Sequence, residues 1–352
     1  MTSQNATHEP RHATLPGDRR RSPPFPRPLA AFLEPIYKAA IARRNRDFDR
    51  GKGVRRAPIP VVSVGNLSVG GTGKTPLVAW LCRTLDELGH TPGIAMRGYK
   101  AKPGQPSDEA REHAARRPGT PIRQNPDRHA AVTDLAERDN ATVAVLDDGF
   151  QHRRLYRDLD IVLIDATRDP FADRCLPAGW LREPVSSLAR AHAVIITRCE
   201  LATHDAIARI EHAVERIAPS ATRARAEHTW LELIDHTDAT VPFSAVRKSN
   251  PVLACGIGHP AAFLAAANAA GITHPHTVVK HDHHEWNHKD ATELCRLAGH
   301  DTPLLTTEKD WVKLAAVLPE TLATRTLRPR LGITFTAGEP QLRSALGSVP
   351  RP

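Results

Sequence analysis

Aromatic side chains are scarce in this 352-residue chain, at 5% of the sequence. Surfaces that grip single strands or read bases rely on stacked rings, and no base-reading module is recognisable, so nucleic acid is not an expected partner. Cysteine is scarce too. Cys82, Cys175, Cys199, Cys255 and Cys295 are scattered and never fall in C-x-x-C spacing, which speaks against a zinc or disulfide framework and for reduced thiols. No apolar run is long enough to span a bilayer, and the amino terminus lacks the apolar core of a signal peptide. What remains is ordinary for a globular protein: 40% hydrophobic and 25% charged residues, on a chain long enough for two domains. The formal net charge of +9 favours an anionic partner, and by itself does not choose among nucleic acid, an acidic membrane surface and a phosphorylated substrate.

Residues 1–27 are rich in Arg, Pro, His and Thr and almost devoid of apolar side chains, so they are expected to be a disordered basic tail. An apolar pattern then runs from Leu29 to Ile41, interrupted by Glu34 and Pro35 and followed by Arg43, Arg44 and Arg46. Apolar residues beside arginines suit a helix lying in a membrane interface, and equally a helix packed on its own domain.

The stretch that organises the chain is Pro60 to Pro76. Its β-branched run Val61–Val64 reads as a buried strand, and Gly70-Gly71-Thr72-Gly73-Lys74-Thr75 leads into an amphipathic helix ending near Gly89. Glycines let successive N–H groups point at an anion, and the helix N-terminus adds positive potential. Lys74 is expected to reach the β- and γ-phosphates of a nucleotide and the Thr75 hydroxyl to sit on Mg²⁺. Ser68 stands where the strict pattern has glycine. Val69 stands where partition ATPases and metal chaperones carry a second lysine, which counts against a nucleotide-driven switch or metallochaperone, the competing reading.

Strand and helix patterns alternate onward, which predicts an α/β fold with a mostly parallel, P-loop-like sheet. The phosphate-binding domain is expected over 28–220, a connector over 221–245 and a smaller α/β lid over 246–352. Lys74, Arg97, Asp147-Asp148 and Asp165 all fall at expected strand ends, where ligands bind on such sheets. Asp147 or Asp148 would hold the metal opposite Thr75; the spacing does not say which. His284-Glu285-Trp286-Asn287-His288 matches the H-E-x-x-H zinc pattern, but the helical pattern starts only after Asn287, so no zinc is expected there.

Six stretches together resemble the tetraacyldisaccharide 4'-kinase family. They are Val64–Pro76, Asp147-Asp-Gly-Phe-Gln-His152, Leu176-Pro-Ala-Gly-Trp-Leu-Arg-Glu-Pro184, Gly256-Ile-Gly-His-Pro260, Asp282-His-His284 and Thr306-Thr-Glu-Lys-Asp310, in the family's order. The resemblance implies Mg²⁺- and ATP-dependent phosphorylation of the 4'-hydroxyl of a tetraacylated glucosamine disaccharide 1-phosphate. It also implies peripheral attachment to the anionic cytoplasmic face of a Gram-negative inner membrane, with no protein partner expected. By the same resemblance Asp108, in Ser107-Asp-Glu-Ala110, is the general base and His283 supports it. Arg128 lies near the phosphates, Glu183 joins Asp147 and Asp148 at the metal, and Tyr99 is a further active-site position. The family's Ser-Arg-Gly-Tyr-Gly stands here as Met96-Arg-Gly-Tyr-Lys100, and its Gly-Asp-Glu-Pro as Ser107-Asp-Glu-Ala110.

Overall fold

The computed structural model describes residues 27–351, apart from 71–72, 100, 102–103, 259, 275 and 283. The expected disordered tail, but for its last residue, lies outside the described residues, as do Gly71, Thr72 and His283 of the expected site.

In chain order the elements are α1 (Arg27–Asp49), β1 (Val61–Asn66), α2 (Lys74–Glu87), β2 (Pro92–Met96), α3 (Asp108–Arg116), β3 (Ile122–Gln124), α4 (Arg128–Asp139), β4 (Val143–Asp147), β5 (Leu159–Asp165), β6 (Ala193–Thr197), α5 (His204–Ile217), β7 (Thr222–Ile234), β8 (Thr240–Val241), α6 (Ser244–Arg247), β9 (Val252–Cys255), α7 (Pro260–Ala269), β10 (His276–Val279), α8 (His288–Ala298), β11 (Leu304–Thr306), α9 (Glu308–Leu314), α10 (Glu320–Ala323), β12 (Thr326–Ala337) and α11 (Glu339–Gly347). The strands form one sheet in the order β10-β9-β11-β12-β7-β6-β5-β1-β4-β2-β3, with β8 on β7. Apart from the short β8, which is antiparallel to β7, pairing is parallel on either side of the antiparallel β7–β12 pair.

β1, β4, β5 and β6 are buried along their whole length, because a parallel sheet is covered on both faces. On one face Leu77, Leu81 and Leu85 of α2 share a core with Val62, Val64, Ile161 and Ile195; Leu342 and Leu346 of α11 join it, so the last helix returns to the first half of the chain. A second core beneath Val162, Ile164 and Val194 takes in Ile207, Ile210 and Val214 of α5.

The segment 221–245, expected as a connector, is chiefly the long strand β7, and it welds the two halves together. In its first half the inward positions are Ala224 and Ala226, alternating with Arg223 and Arg225. Alternation is present, but alanine lacks the β-branched signature that marks a strand in sequence. Parallel β1 and β4 bring their carboxyl ends, Asn66 and Asp147, to one edge of the sheet.

Candidate active site

The phosphate loop joins β1 to α2. Gly70 has φ 117° and Gly73 φ 76°, both in the region that favours glycine. A Cβ on Gly73 would stand 2.1 Å from Cε1 of His228, whose ring lies against the loop from β7. Burial, then nearby Arg198, brings the His228 pKa down to about 4, so the ring is neutral at physiological pH. Nothing in the sequence marks His228, because only the length of β7 carries it over the loop. The loop is backed by the Leu176–Pro184 motif: the Val69 N–H donates to the Trp180 carbonyl at 2.8 Å, and the Arg182 N–H to the Leu67 carbonyl at 2.7 Å.

Lys74 opens α2 and its Nζ lies 3.3 Å from Asp148 Oδ1. Arg182 Nη1 donates to Asp148 Oδ2 at 2.8 Å. Burial alone would raise the Asp148 pKa; Lys74 and Arg182 outweigh it and hold the carboxyl at about 2. Asp148 sits at φ 55°, a left-handed turn that aspartate tolerates better than most residues. Asp147 ends β4. Its Oδ2 lies 2.9 Å from Nε2 of the buried His113 of α3, while its buried Oδ1 has no hydrogen-bond partner. Burial pulls the His113 pKa down, but the Asp147 hydrogen bond and charge prevail and the net shift is upward. Glu109, one turn earlier on α3, is pushed up by burial and then by Asp147. No sequence signal separates His113 from an ordinary surface histidine; its role emerges only from the packing of α3.

Arg128 begins α4 and is buried. Its Nη1 donates to the carbonyls of Asn125 and Pro126, and its Nε is buried without a hydrogen-bond partner. Burial and then Arg97 lower its pKa, with Asp147 and Asp148 acting in the opposite direction. Lys74, Thr75, Arg128, Asp147 and Asp148 therefore gather at one edge of the sheet. Glu183 corrects an expectation. Its fully buried carboxylate accepts from Arg44 (3.3 Å), Asn45 (2.9 Å) and Arg190 (3.0 Å), so it anchors α1 and does not present an open oxygen to a metal.

Asp108 is the first residue of α3 but not its cap, because Ser107 Oγ accepts from the Ala110 N–H. The Asp108 carboxylate lies 2.8 Å from Arg111 and 3.8 Å from Lys313 of α9. From the other half of the sheet, Asp282 pairs with Lys309 at 2.9 Å. The Thr306–Asp310 motif is a fastening. Buried Asp310 accepts from the Gly256 N–H (3.0 Å), Trp286 Nε1 (2.9 Å) and Thr307 Oγ1 (2.6 Å), and so binds three motifs together. Thr307 also caps α9. The exposed Tyr99 follows the left-handed Gly98.

The H-E-x-x-H residues do not share a helix. α8 starts at His288 behind the Asn287 cap, and His284 Nε2 lies 2.8 Å from Asp290. Among the described residues no group of three His, Cys, Asp or Glu side chains is placed to hold a metal ion by itself. Elemental analysis of purified protein is expected to find zinc far below one atom per chain; a stoichiometric amount would contradict this geometry.

Residues 27–349 match the family model described as tetraacyldisaccharide-1-P 4'-kinase. The chain is similar to tetraacyldisaccharide 4'-kinase from Pseudomonas putida, 37% identical over 300 residues that cover 81% of this chain and 83% of that one. Its counterpart from Geobacter metallireducens is 36% identical over 334 residues, covering 88% and 92%. Among solved structures, the "apo" form of LpxK from Aquifex aeolicus in complex with ATP aligns with a TM-score of 0.72 and 26% identity, over 91% of this chain and 98% of that chain.

Proposed function

The chain belongs to the tetraacyldisaccharide-1-P 4'-kinase family, and from that premise we propose that it moves the γ-phosphoryl group of ATP onto the 4'-oxygen of a tetraacylated glucosamine disaccharide 1-phosphate. The observation that carries the reading is the ion pair of the phosphate-loop Lys74 with Asp148, the residue next to the strand-end acid Asp147. Lys74 would exchange Asp148 for the β- and γ-phosphates, leaving Asp148 on Arg182. The unpartnered Nε of Arg128 is a donor in reserve for the same phosphates.

The donor set fits a hard divalent cation. Asp147 Oδ1 is buried without a hydrogen-bond partner, and Thr75 lies in the first turn of α2. Thr75, Asp147 and Asp148 would hold Mg²⁺, which when bound offsets charge on the transferring phosphoryl group. Asp108 would accept the proton of the 4'-hydroxyl as the new P–O bond forms and the bond to ADP breaks, with His283 assisting. The half that carries Asp282 and Lys309 would close the acceptor side. The assay is incubation with ATP, Mg²⁺ and the acylated disaccharide phosphate, followed by phosphorus–proton correlation NMR of the product. A new phosphomonoester on the 4'-oxygen is expected; phosphate on another oxygen would overturn the assignment.

We place the enzyme peripherally on the anionic cytoplasmic face of the inner membrane. No described helix is long and apolar enough to cross a membrane. α1 uses one side to dock: Tyr37 Oη donates to the Arg182 carbonyl at 2.7 Å, and Glu34 accepts from Arg174 and from the Cys175 N–H. The other side leaves Leu29, Phe32 and Ile36 exposed at 46%, 71% and 58%, on a helical stripe. On this reading packed helix and membrane helix are two faces of one element. Replacing all three with serine is expected to cost about 3 kcal/mol of membrane affinity, or about a hundredfold in partitioning to anionic vesicles. Unchanged co-sedimentation with such vesicles would remove the stripe from the membrane account.

A further inference from the structure

Resting on the reading of Asp108 as general base, we propose that Lys313 is a positioning residue that holds this carboxylate against the acceptor half of the site. Asp108 sits in the first turn of α3, where a side chain is least hemmed in by its own helix. Farther along, α3 is fixed by His113 on Asp147 and by Arg116, whose Nη1 donates to the Leu331 carbonyl. Two cations bracket Asp108. Arg111 lies on the same helix and draws Oδ1 along the helix surface. Lys313 comes from α9, which packs on α3, and stands 3.8 Å from Oδ2. The same Nζ donates to the His284 carbonyl at 3.2 Å and to Glu285 at 2.9 Å. Those acceptors directly follow Asp282 and His283 in sequence.

One ammonium therefore stands within ion-pair range of the base and donates to the turn that follows its expected helper. The Lys313 side chain is only 13% exposed. Withdrawing an ammonium from water is unfavourable unless its partners compensate, and an apolar side chain of similar length would fill the same space without that cost. Lys313 is thus placed where it orients a reacting group, on a cost that stability alone does not require. These contacts tie the carboxylate to the acceptor half, so the base is aligned when β9–β12 and their helices are in place.

The test compares Lys313→Met, Lys313→Arg and Asp108→Asn with the wild-type full chain, using ATP, Mg²⁺ and the acylated disaccharide phosphate. Lys313→Met is expected to lower kcat by about 10–100-fold, the scale of an ångström of misplacement at a reacting group, with KM for ATP within a factor of about two. Lys313→Arg should recover most of the loss. In the double variant with Asp108→Asn, kcat should match that of Asp108→Asn alone, because a residue acting through the base adds nothing once the base is gone. A merely structural lysine would multiply its loss onto that of Asp108→Asn, and this result would overturn the proposal. So would a near-normal kcat in Lys313→Met while Asp108→Asn collapses, which leaves the base assignment standing. A near-normal Asp108→Asn strikes the base reading itself and the proposal with it. If Lys313→Met loses its cooperative unfolding transition, Lys313→Gln, which keeps a donor for the His284 carbonyl, carries the same comparison.

Discussion

Lys74→Ala is expected to abolish phosphoryl transfer while the protein stays folded. Lys74 stands at the first position of α2, at the end of the phosphate loop, and its ammonium reaches Asp148. Transfer passes through a loose transition state with charge spread over the phosphoryl oxygens, so catalysis is mostly placement of positive charge. Removing one such group costs about 10²–10³-fold, and more where the group also orients the phosphates. The structural cost is small. Asp148 keeps Arg182, and its side chain is 38% exposed, so the lost pair is worth at most about 1 kcal/mol after solvent screening. The expected record is an undetectable transfer rate beside a thermal midpoint within a few degrees of wild type. Wild-type turnover in this variant would remove the nucleotide site from the phosphate loop.

Asp108→Asn should be nearly as damaging, by a different route. A sugar hydroxyl is a poor nucleophile until its proton has an acceptor, and losing a general base typically costs about 10²–10⁴-fold in kcat. Because Ser107 and not Asp108 caps α3, the change removes no cap, and asparagine keeps the shape of the side chain beside Arg111 and Lys313. KM for ATP should therefore stay close to its wild-type value while kcat falls. Near-normal kcat would place the base elsewhere. Glu109, whose carboxyl burial and Asp147 push upward, is the first alternative.

The parts of this site that were legible in the sequence are those whose chemistry restricts the residue type. Gly70 and Gly73 adopt positive φ, Lys74 and Thr75 must follow at the helix start, and an apolar strand must end at Asp147. Such demands survive in one dimension. The shared sheet was not legible, because β7 presents alanine and arginine in alternation where an interior strand usually presents valine or isoleucine. Partnerships across the fold were not legible either. His113 finds Asp147 only when α3 packs beside β4, and Arg182 finds Asp148 only when the Leu176–Pro184 segment lies against the phosphate loop. Glu183 shows the opposite error. A carboxylate in a family motif looks like a metal ligand until Arg44, Asn45 and Arg190 are seen to surround it.

The most direct test of the central claim is phosphate balance in a single assay. Wild-type protein is mixed with ATP, Mg²⁺ and the acylated disaccharide 1-phosphate in mixed micelles, and ADP and lipid are followed together by mass spectrometry. The lipid should gain the mass of one phosphate for each ADP released, and Lys74→Ala should give neither product. ADP released with no change in lipid mass would mean hydrolysis without transfer, the behaviour of a nucleotide-driven switch, and would contradict the kinase reading.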